Sequence, residues 1–266
     1  MPHARLNGID VYFERLGEGP PLLFFNGSGS SIQNSRLSID PYAAHFDVVV
    51  HDQRGLGATE APPLPYTMAE YAADGIALLD HLGLDRVRVI GTSFGGMVAQ
   101  ELAVTFPDRV ERLALLCTSP GGAGGSSYPL HEIEQLPPEE RMAQGMHVID
   151  SRWSEEWLAS HELDRLIADG VAAMVSGRGD RTPDQARGEQ GQMGARATHD
   201  VWDRLHLVAC PTLVAAGRYD GVAPPANAEN IASRIPGAEL RLYEGGHTFF
   251  FQDPTAVPEI IDFLLA

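Results

Sequence analysis

Six short apolar runs set the first limit on how this chain folds: PLLFFN (21–26), FDVVVHD (46–52), RVRVIG (86–91), RLALLCT (112–118), PTLVAAG (211–217) and ELRLYEG (239–245). Runs of this length read as strands buried on both faces. Helical patterns lie between most of them. Thr67 and Glu70 have capping-box spacing, and the helix they open places Met68, Tyr71, Leu78, Leu79 and Leu82 on one face before Gly83 stops it. Another helix is expected to start with Asp253 as N-cap and Pro254 in the first turn, turning Val257, Ile260, Ile261 and Leu264 inward. Alternation of strand and helix implies an α/β fold with a mostly parallel sheet covered on both sides. The opening IDVYFERL alternates instead, as an antiparallel hairpin at a sheet edge does.

The alternation stops between Ser119 and about Leu207. This span opens with TSPGGAGGSS, read as a flexible linker, and continues with amphipathic segments such as EEWLASHELDRLIADGVAAMV. The pattern predicts a helical insertion, 119–206, in a core domain made of 1–118 and 207–266. All three tryptophans (Trp153, Trp157, Trp202) and Met142, Met146, Met174 and Met193 fall inside it, and together they point to an apolar pocket wall.

A chain of 266 residues, 44% of them hydrophobic, is long enough for one large domain or one domain with an insertion. Its net charge of −17 comes with 19 basic residues that are all arginine, and such a surface disfavours nucleic acid and anionic membranes as partners. Cys117 and Cys210 sit in apolar runs and read as buried thiols in a reducing compartment. The N-terminal stretch lacks the pattern of a signal peptide, and no apolar run approaches a membrane span, so a cytoplasmic location is expected. A small-molecule partner and a monomer or homodimer fit this picture.

GTSFG (91–95) fits G-x-S-x-G, preceded by a β-branched strand and followed by the helix-compatible FGGMVAQELAVTF. In a tight strand-to-helix turn, glycines two residues either side of a serine remove Cβ atoms that would clash, and the serine hydroxyl projects above the sheet. A serine is a weak nucleophile at neutral pH, so it needs a base and a group to orient the base. His247, in LYEGGHTFF, and Asp220, in LVAAGRYDGVAPP, each follow one of the last two strands. An earlier loop that could carry the acid, CTSPGGAGG, contains no carboxylate.

With FFNGSGS, VVVHDQRGLGATE, GTSFGGMVA, PTLVAAGRYDGVAPP and YEGGHTFFFQDP, the chain resembles the α/β-hydrolase superfamily. Within it, the chain looks like the small bacterial esterases and lactonases of the 3-oxoadipate enol-lactonase type. The resemblance implies an eight-stranded, mostly parallel sheet with a helical cap after the sixth strand. It also implies Ser93 as nucleophile, His247 as general base and acid, Asp220 as the carboxylate that fixes the imidazole, and the amides of Ser28 and Phe94 as an oxyanion hole. Asn26-Gly27 stands where many relatives have His-Gly.

No Cys, His and carboxylate cluster has metal-ligand spacing, and no cofactor is expected. In HDQRGLG (51–57), Asp52 and Arg54 read as a loop-fixing salt bridge, and RGD (178–180) as a chance match. The expected activity is hydrolysis of a small, largely apolar carboxylic ester or lactone through an acyl-enzyme. A carbon–carbon bond hydrolase or a cofactor-free perhydrolase would use the same triad, and product analysis separates them. A hydrolase-derived small-molecule receptor is the alternative of another class, distinguished by single-turnover labelling without multiple turnover.

Overall fold

The computed structural model describes residues 2–133, 136–176 and 182–266. Eight strands form one sheet: β1 (His3–Leu6), β2 (Ile9–Leu16), β3 (Pro21–Phe25), β4 (Asp47–His51), β5 (Val87–Thr92), β6 (Val110–Leu116), β7 (Thr212–Gly217) and β8 (Glu239–Tyr243). Their order is β1-β2-β4-β3-β5-β6-β7-β8. The β1–β2 and β2–β4 pairs are antiparallel and every other pair is parallel. The parallel strands therefore all end at one edge, where an open α/β sheet has its crevice.

Alternation within the buried strands divides the core into two. Leu23, Phe25, Val89, Leu113, Leu115 and Val214 pack on one face with α2 (Met68–His81), α3 (Phe94–Thr105) and α9 (Pro225–Arg234). Leu22, Phe24, Val48, Val50, Ile90 and Ala114 pack on the other with α1 (Arg36–Ala43) and α11 (Ala256–Leu265). A side-chain period of two on strands buried from both sides requires this arrangement. The exception is β8, an edge strand whose residues before Tyr243 are exposed or half-buried.

The Thr67 capping box is present, with the Glu70 amide donating to Thr67 Oγ1 and the Thr67 amide to Glu70 Oε2. The last helix starts later than its sequence implies. Asp253 Oδ1 accepts from the amide and hydroxyl of Thr255, and its Oδ2 from the Glu244 amide. The Thr255 bonds, with the Ala256 amide donating to the Asp253 carbonyl (3.2 Å), close a turn between α10 (Phe249–Gln252) and the last helix, so Asp253 caps that turn and α11 begins at Ala256 with Thr255 at its N-cap.

Between β6 and β7 lie α4 (Leu130–Ile133), α5 (Pro138–Ile149), α6 (Glu155–Ser160), α7 (Glu162–Ser176) and α8 (Pro183–Ala197). The glycine-rich opening of this span is built structure, not a flexible linker. Gly121 pairs with Asp200, Gly124 packs against Trp202, and Asn227 Nδ2 donates to the Ser119 hydroxyl and the Ser126 carbonyl. Trp202 packs on the core beneath α3 with Arg234 over its ring, Trp153 is buried, and Trp157 stacks on His161. The RGD triplet and the Met174 side chain lie outside the described residues. Among the described residues no helix is long and apolar enough to cross a membrane.

Candidate active site

The turn between β5 and α3 is held by contacts that exclude side chains. A Cβ on Gly91 would collide with the Gly95 carbonyl, and one on Gly95 with the Phe25 carbonyl. Between them Ser93 has φ 55° and ψ −116°. A non-glycine residue held there stores roughly 1–3 kcal/mol, sustained only by surrounding structure. Four bonds supply that hold: the Ser93 amide donates to the Leu116 carbonyl (2.8 Å), and its carbonyl accepts from the Thr118 hydroxyl (2.8 Å) and the amides of Gly96 (2.9 Å) and Met97 (3.3 Å).

The sequence-predicted triad residues meet above this turn. His247 Nε2 lies 2.9 Å from Ser93 Oγ, and His247 Nδ1 lies 2.8 Å from Asp220 Oδ2. Asp220 is buried and its other oxygen accepts from the amides of Val222 and Ala223, both at 2.8 Å. A carboxylate so held can only accept from Nδ1–H, which leaves Nε2 as an acceptor facing the hydroxyl.

The Gly27–Ser28 turn lies alongside: a Cβ on Gly27 would be 3.6 Å from the Ser93 Cβ. Among the described residues, the amides of Ser28 and of Phe94, the first residue of α3, donate to no protein group. An oxyanion needs N–H donors of this kind, not already engaged by the protein. The Asn26 side chain is buried, its Nδ2 without a partner among the described residues, and the Asn26 backbone carbonyl accepts from Gln53 Nε2 at 2.8 Å.

Three further supports carry no sequence signal. Gln192, buried on α8, accepts from the Gly29 amide (2.8 Å) and so tethers the loop that carries Ser28. Residues 148–151 run along both triad loops: the His247 amide donates to the Ile149 carbonyl (2.6 Å), Gly221 to Val148 (2.9 Å), and Ser151 to Tyr219 (3.0 Å). Gln252 Nε2 bridges Asp150 and Asp164 while its Oε1 accepts from the Gly246 amide (2.9 Å).

The expected Asp52–Arg54 bridge does not form. Asp52 accepts from the amides of Ile32 (2.7 Å) and Ala58 (2.8 Å), while Arg54 turns to Asp74 and Glu70. Both cysteines are buried and free, and burial pushes each thiol up. Among the described residues no group of three His, Cys, Asp or Glu side chains could hold a metal ion.

A strained serine at the β5–α3 turn of a mostly parallel eight-stranded sheet, hydrogen-bonded to a histidine and an aspartate on the loops after β8 and β7, defines a class of proteins. The chain belongs to the α/β-hydrolase fold family, whose sequence pattern it matches over residues 20–254. It is 30% identical over 241 residues to a poly(3-hydroxyalkanoate) depolymerase of Ectopseudomonas oleovorans, covering 91% of this chain and 82% of that one. It is 26% identical over 253 residues to 3-oxoadipate enol-lactonase 2 of Acinetobacter baylyi, covering 91% and 87%. A hydrolase from Pseudomonas aeruginosa superposes with a TM-score of 0.78 at 27% identity, covering 100% of this chain and 98% of that one.

Proposed function

We propose that the protein is a serine hydrolase of small carboxylic esters or lactones, with Ser93, His247 and Asp220 as its catalytic triad. The observation that carries this reading is the hydrogen-bonded chain from Asp220 Oδ2 through His247 to Ser93 Oγ, at 2.8 and 2.9 Å. The names of the two relatives, a depolymerase and a lactonase, support the same chemistry.

In this mechanism Ser93 Oγ attacks the carbonyl carbon as its proton passes to His247 Nε2, and the imidazolium is stabilised by Asp220. The carbonyl electrons move onto the oxygen, which the Ser28 and Phe94 amides receive. Collapse of that intermediate expels the alkoxide, protonated by His247, and leaves an acyl-serine. Water then attacks the acyl carbon with His247 as base, and the acid departs. The helices between β6 and β7 act as a cap over this site, so that residues 119–206 choose the substrate, while residues 148–151 and Gln192 within them also brace the loops that perform the reaction.

A fluorophosphonate probe is expected to label Ser93, and Ser93→Ala to abolish turnover of p-nitrophenyl butyrate. Ester hydrolysis by Ser93→Ala near the wild-type rate refutes the reading. Matched lactones and open-chain esters then divide the substrate class. A lactone's alcohol stays tethered to the acyl group and re-closes at high effective concentration unless water attack is favoured, so a lactonase must show a higher kcat/KM on the ring.

A further inference from the structure

Five side chains where α5, α6, α7 and α10 meet close on one another as a ring. Arg152 clasps Asp150 with two donors, Nε to Oδ1 (2.9 Å) and Nη2 to Oδ2 (2.6 Å). Asp150 Oδ2 also accepts from Gln252 Nε2 (2.8 Å), whose second bond goes to Asp164 Oδ1 (2.9 Å). Asp164 Oδ2 accepts from the indole N–H of Trp157 (2.6 Å). The circuit shuts where the Arg152 guanidinium lies over the Trp157 ring, 4.9 Å from its centroid. Both carboxylates are buried, and all four of their oxygens have a donor, as buried charge requires.

Two arms leave this ring for the loops that carry His247 and Asp220. Gln252 Oε1 accepts from the Gly246 amide (2.9 Å), and His247 is the next residue. The approach leaves no slack: a Cβ on Gly245 would lie 2.7 Å from Gln252 Oε1, and one on Gly246 2.6 Å from the Asp150 Cβ. On the other side the Arg152 guanidinium covers the ring of Tyr219, 4.1 Å from its centroid, and Asp220 follows Tyr219. The Tyr219 amide joins the two arms by donating to the Gly245 carbonyl (2.9 Å). Four of the five ring members belong to the segment between β6 and β7, and Gln252 alone belongs to the sheet domain.

We propose that this ring positions His247, with Gln252 as the junction through which the helices between β6 and β7 hold Nε2 against Ser93 Oγ. The inference rests on the hydrolase reading above and makes Gln252 a positioning residue, whose bonds go to Gly246, Asp150 and Asp164. The physical reason is the shape of a primary amide. Its NH₂ is gripped by two carboxylates, so the group cannot turn over without setting its oxygen against both of them. With that end fixed, Oε1 has one direction left, and it meets Gly246. Trp157 fixes Asp164 in the same way, so a contact on α6 reaches the imidazole through Asp164, Gln252 and Gly246. A shift of about 1 Å at the imidazole is enough to cost a large factor in rate.

The test is a double-mutant cycle in kcat on p-nitrophenyl butyrate, each protein assayed well below its own melting temperature. Gln252→Met is expected to lower kcat about fivefold or more with KM little changed, because it loosens the base and touches no substrate. Trp157→Phe keeps an aromatic face for Arg152 and removes only the indole N–H; it is expected to lower kcat about twofold or more. The double variant is expected to be no slower than Gln252→Met alone, since the circuit is already open, whereas separate structural roles would make the two losses multiply. If Gln252→Met does not fold, Gln252→Asn, too short by a methylene to reach Gly246 and both carboxylates, takes its place. Independently of turnover, amide hydrogen exchange in peptides spanning 244–252 is expected to quicken in Trp157→Phe as well as in the Gln252 variant. The proposal is overturned if the Gln252 variant or Trp157→Phe keeps the wild-type kcat, if the two losses multiply, or if exchange at 244–252 in Trp157→Phe matches the wild type. If the wild type hydrolyses no ester but exchange responds to both substitutions, the hydrolase reading fails and the coupling of the ring to the His247 loop stands.

Discussion

Asp220→Asn tests whether tautomer control is the task of the acid, because the structure fixes which way the new amide must point. Asp220 Oδ1 accepts two backbone N–H groups at 2.8 Å. Turning the introduced NH₂ toward them would set donor against donor twice, at roughly 1–3 kcal/mol for each buried group left unsatisfied. The amide oxygen therefore keeps the backbone bonds and the NH₂ takes the place of Oδ2, 2.8 Å from His247 Nδ1. Nδ1 must then accept, its proton moves to Nε2, and Nε2 can no longer take the proton of Ser93. We expect kcat to fall about 10³- to 10⁴-fold, or about 4–5.5 kcal/mol in barrier, as a misplaced tautomer does in other serine triads. The assay is kcat on p-nitrophenyl butyrate, with thermal melting alongside. Because both backbone bonds survive, the melting temperature should stay within a few degrees of wild type. A kcat within tenfold of wild type would refute the reasoning.

Other outcomes follow from the same contacts. Gln192→Leu removes the acceptor for the Gly29 amide and should lower kcat about fivefold with little change in stability, the size of one ordinary hydrogen bond of about 1 kcal/mol; steady-state kinetics on a neutral ester reads it directly, and an unchanged kcat counts against the tether. Asp74→Asn weakens the buried pairing of Arg54, whose side chain is 6% exposed, and should cost about 3–5 kcal/mol in urea unfolding, whereas the double change Arg54→Met, Asp74→Leu should recover part of it. His51 and His199 are both pulled down to about 4 by burial. Since the unfolded chain takes up these protons near pH 6.5 and the folded one only near 4, stability is full above pH 6.5 and falls as pH drops through that window. Each histidine should account for about 2 kcal/mol of the loss by pH 5. Urea midpoints at pH 7.5 and 5.0 should therefore differ less in His51→Phe than in wild type, and an equal difference would exclude His51 as a source.

The parallel strands are legible because burial on both faces leaves runs such as LLFF and VVV without polar alternation. Glycine is harder to read: the same letter marks the Ser93 turn, where the G-x-S-x-G spacing identifies its task, and residues 121–125, where no spacing does. There the glycines permit close approach to Trp202 and Asn227, residues about 80 to 100 positions away, and a local reading takes them for flexibility. Asp52 and Arg54 looked paired because they are neighbours in sequence, but the fold offers each a better partner elsewhere. Asp253 caps a turn that precedes the last helix instead of the helix itself, and its second oxygen holds the Glu244 amide, a contact no local pattern announces. That Ser93, Asp220 and His247 lie together was legible because the three follow strand ends in a fixed order. Gln192 and Gln252 were not, because their meaning depends on contacts 163 and 102 residues distant.

The splint formed by residues 148–151 bears on how such enzymes can be recombined. Its carbonyls accept the amides of His247 and Gly221, and its Ser151 amide returns a bond to Tyr219. The helical segment is therefore not an interchangeable module joined to an autonomous catalytic chassis. A chimaera that imports a foreign segment at the ends of β6 and β7 discards the backbone that registers the His247 loop against the Asp220 loop. Such a hybrid loses turnover even on substrates its new helices admit. Crossover points that leave 148–151 and the Gln192 tether of α8 with the host keep these loops aligned, and leave the outer faces of the helices between them free to diverge.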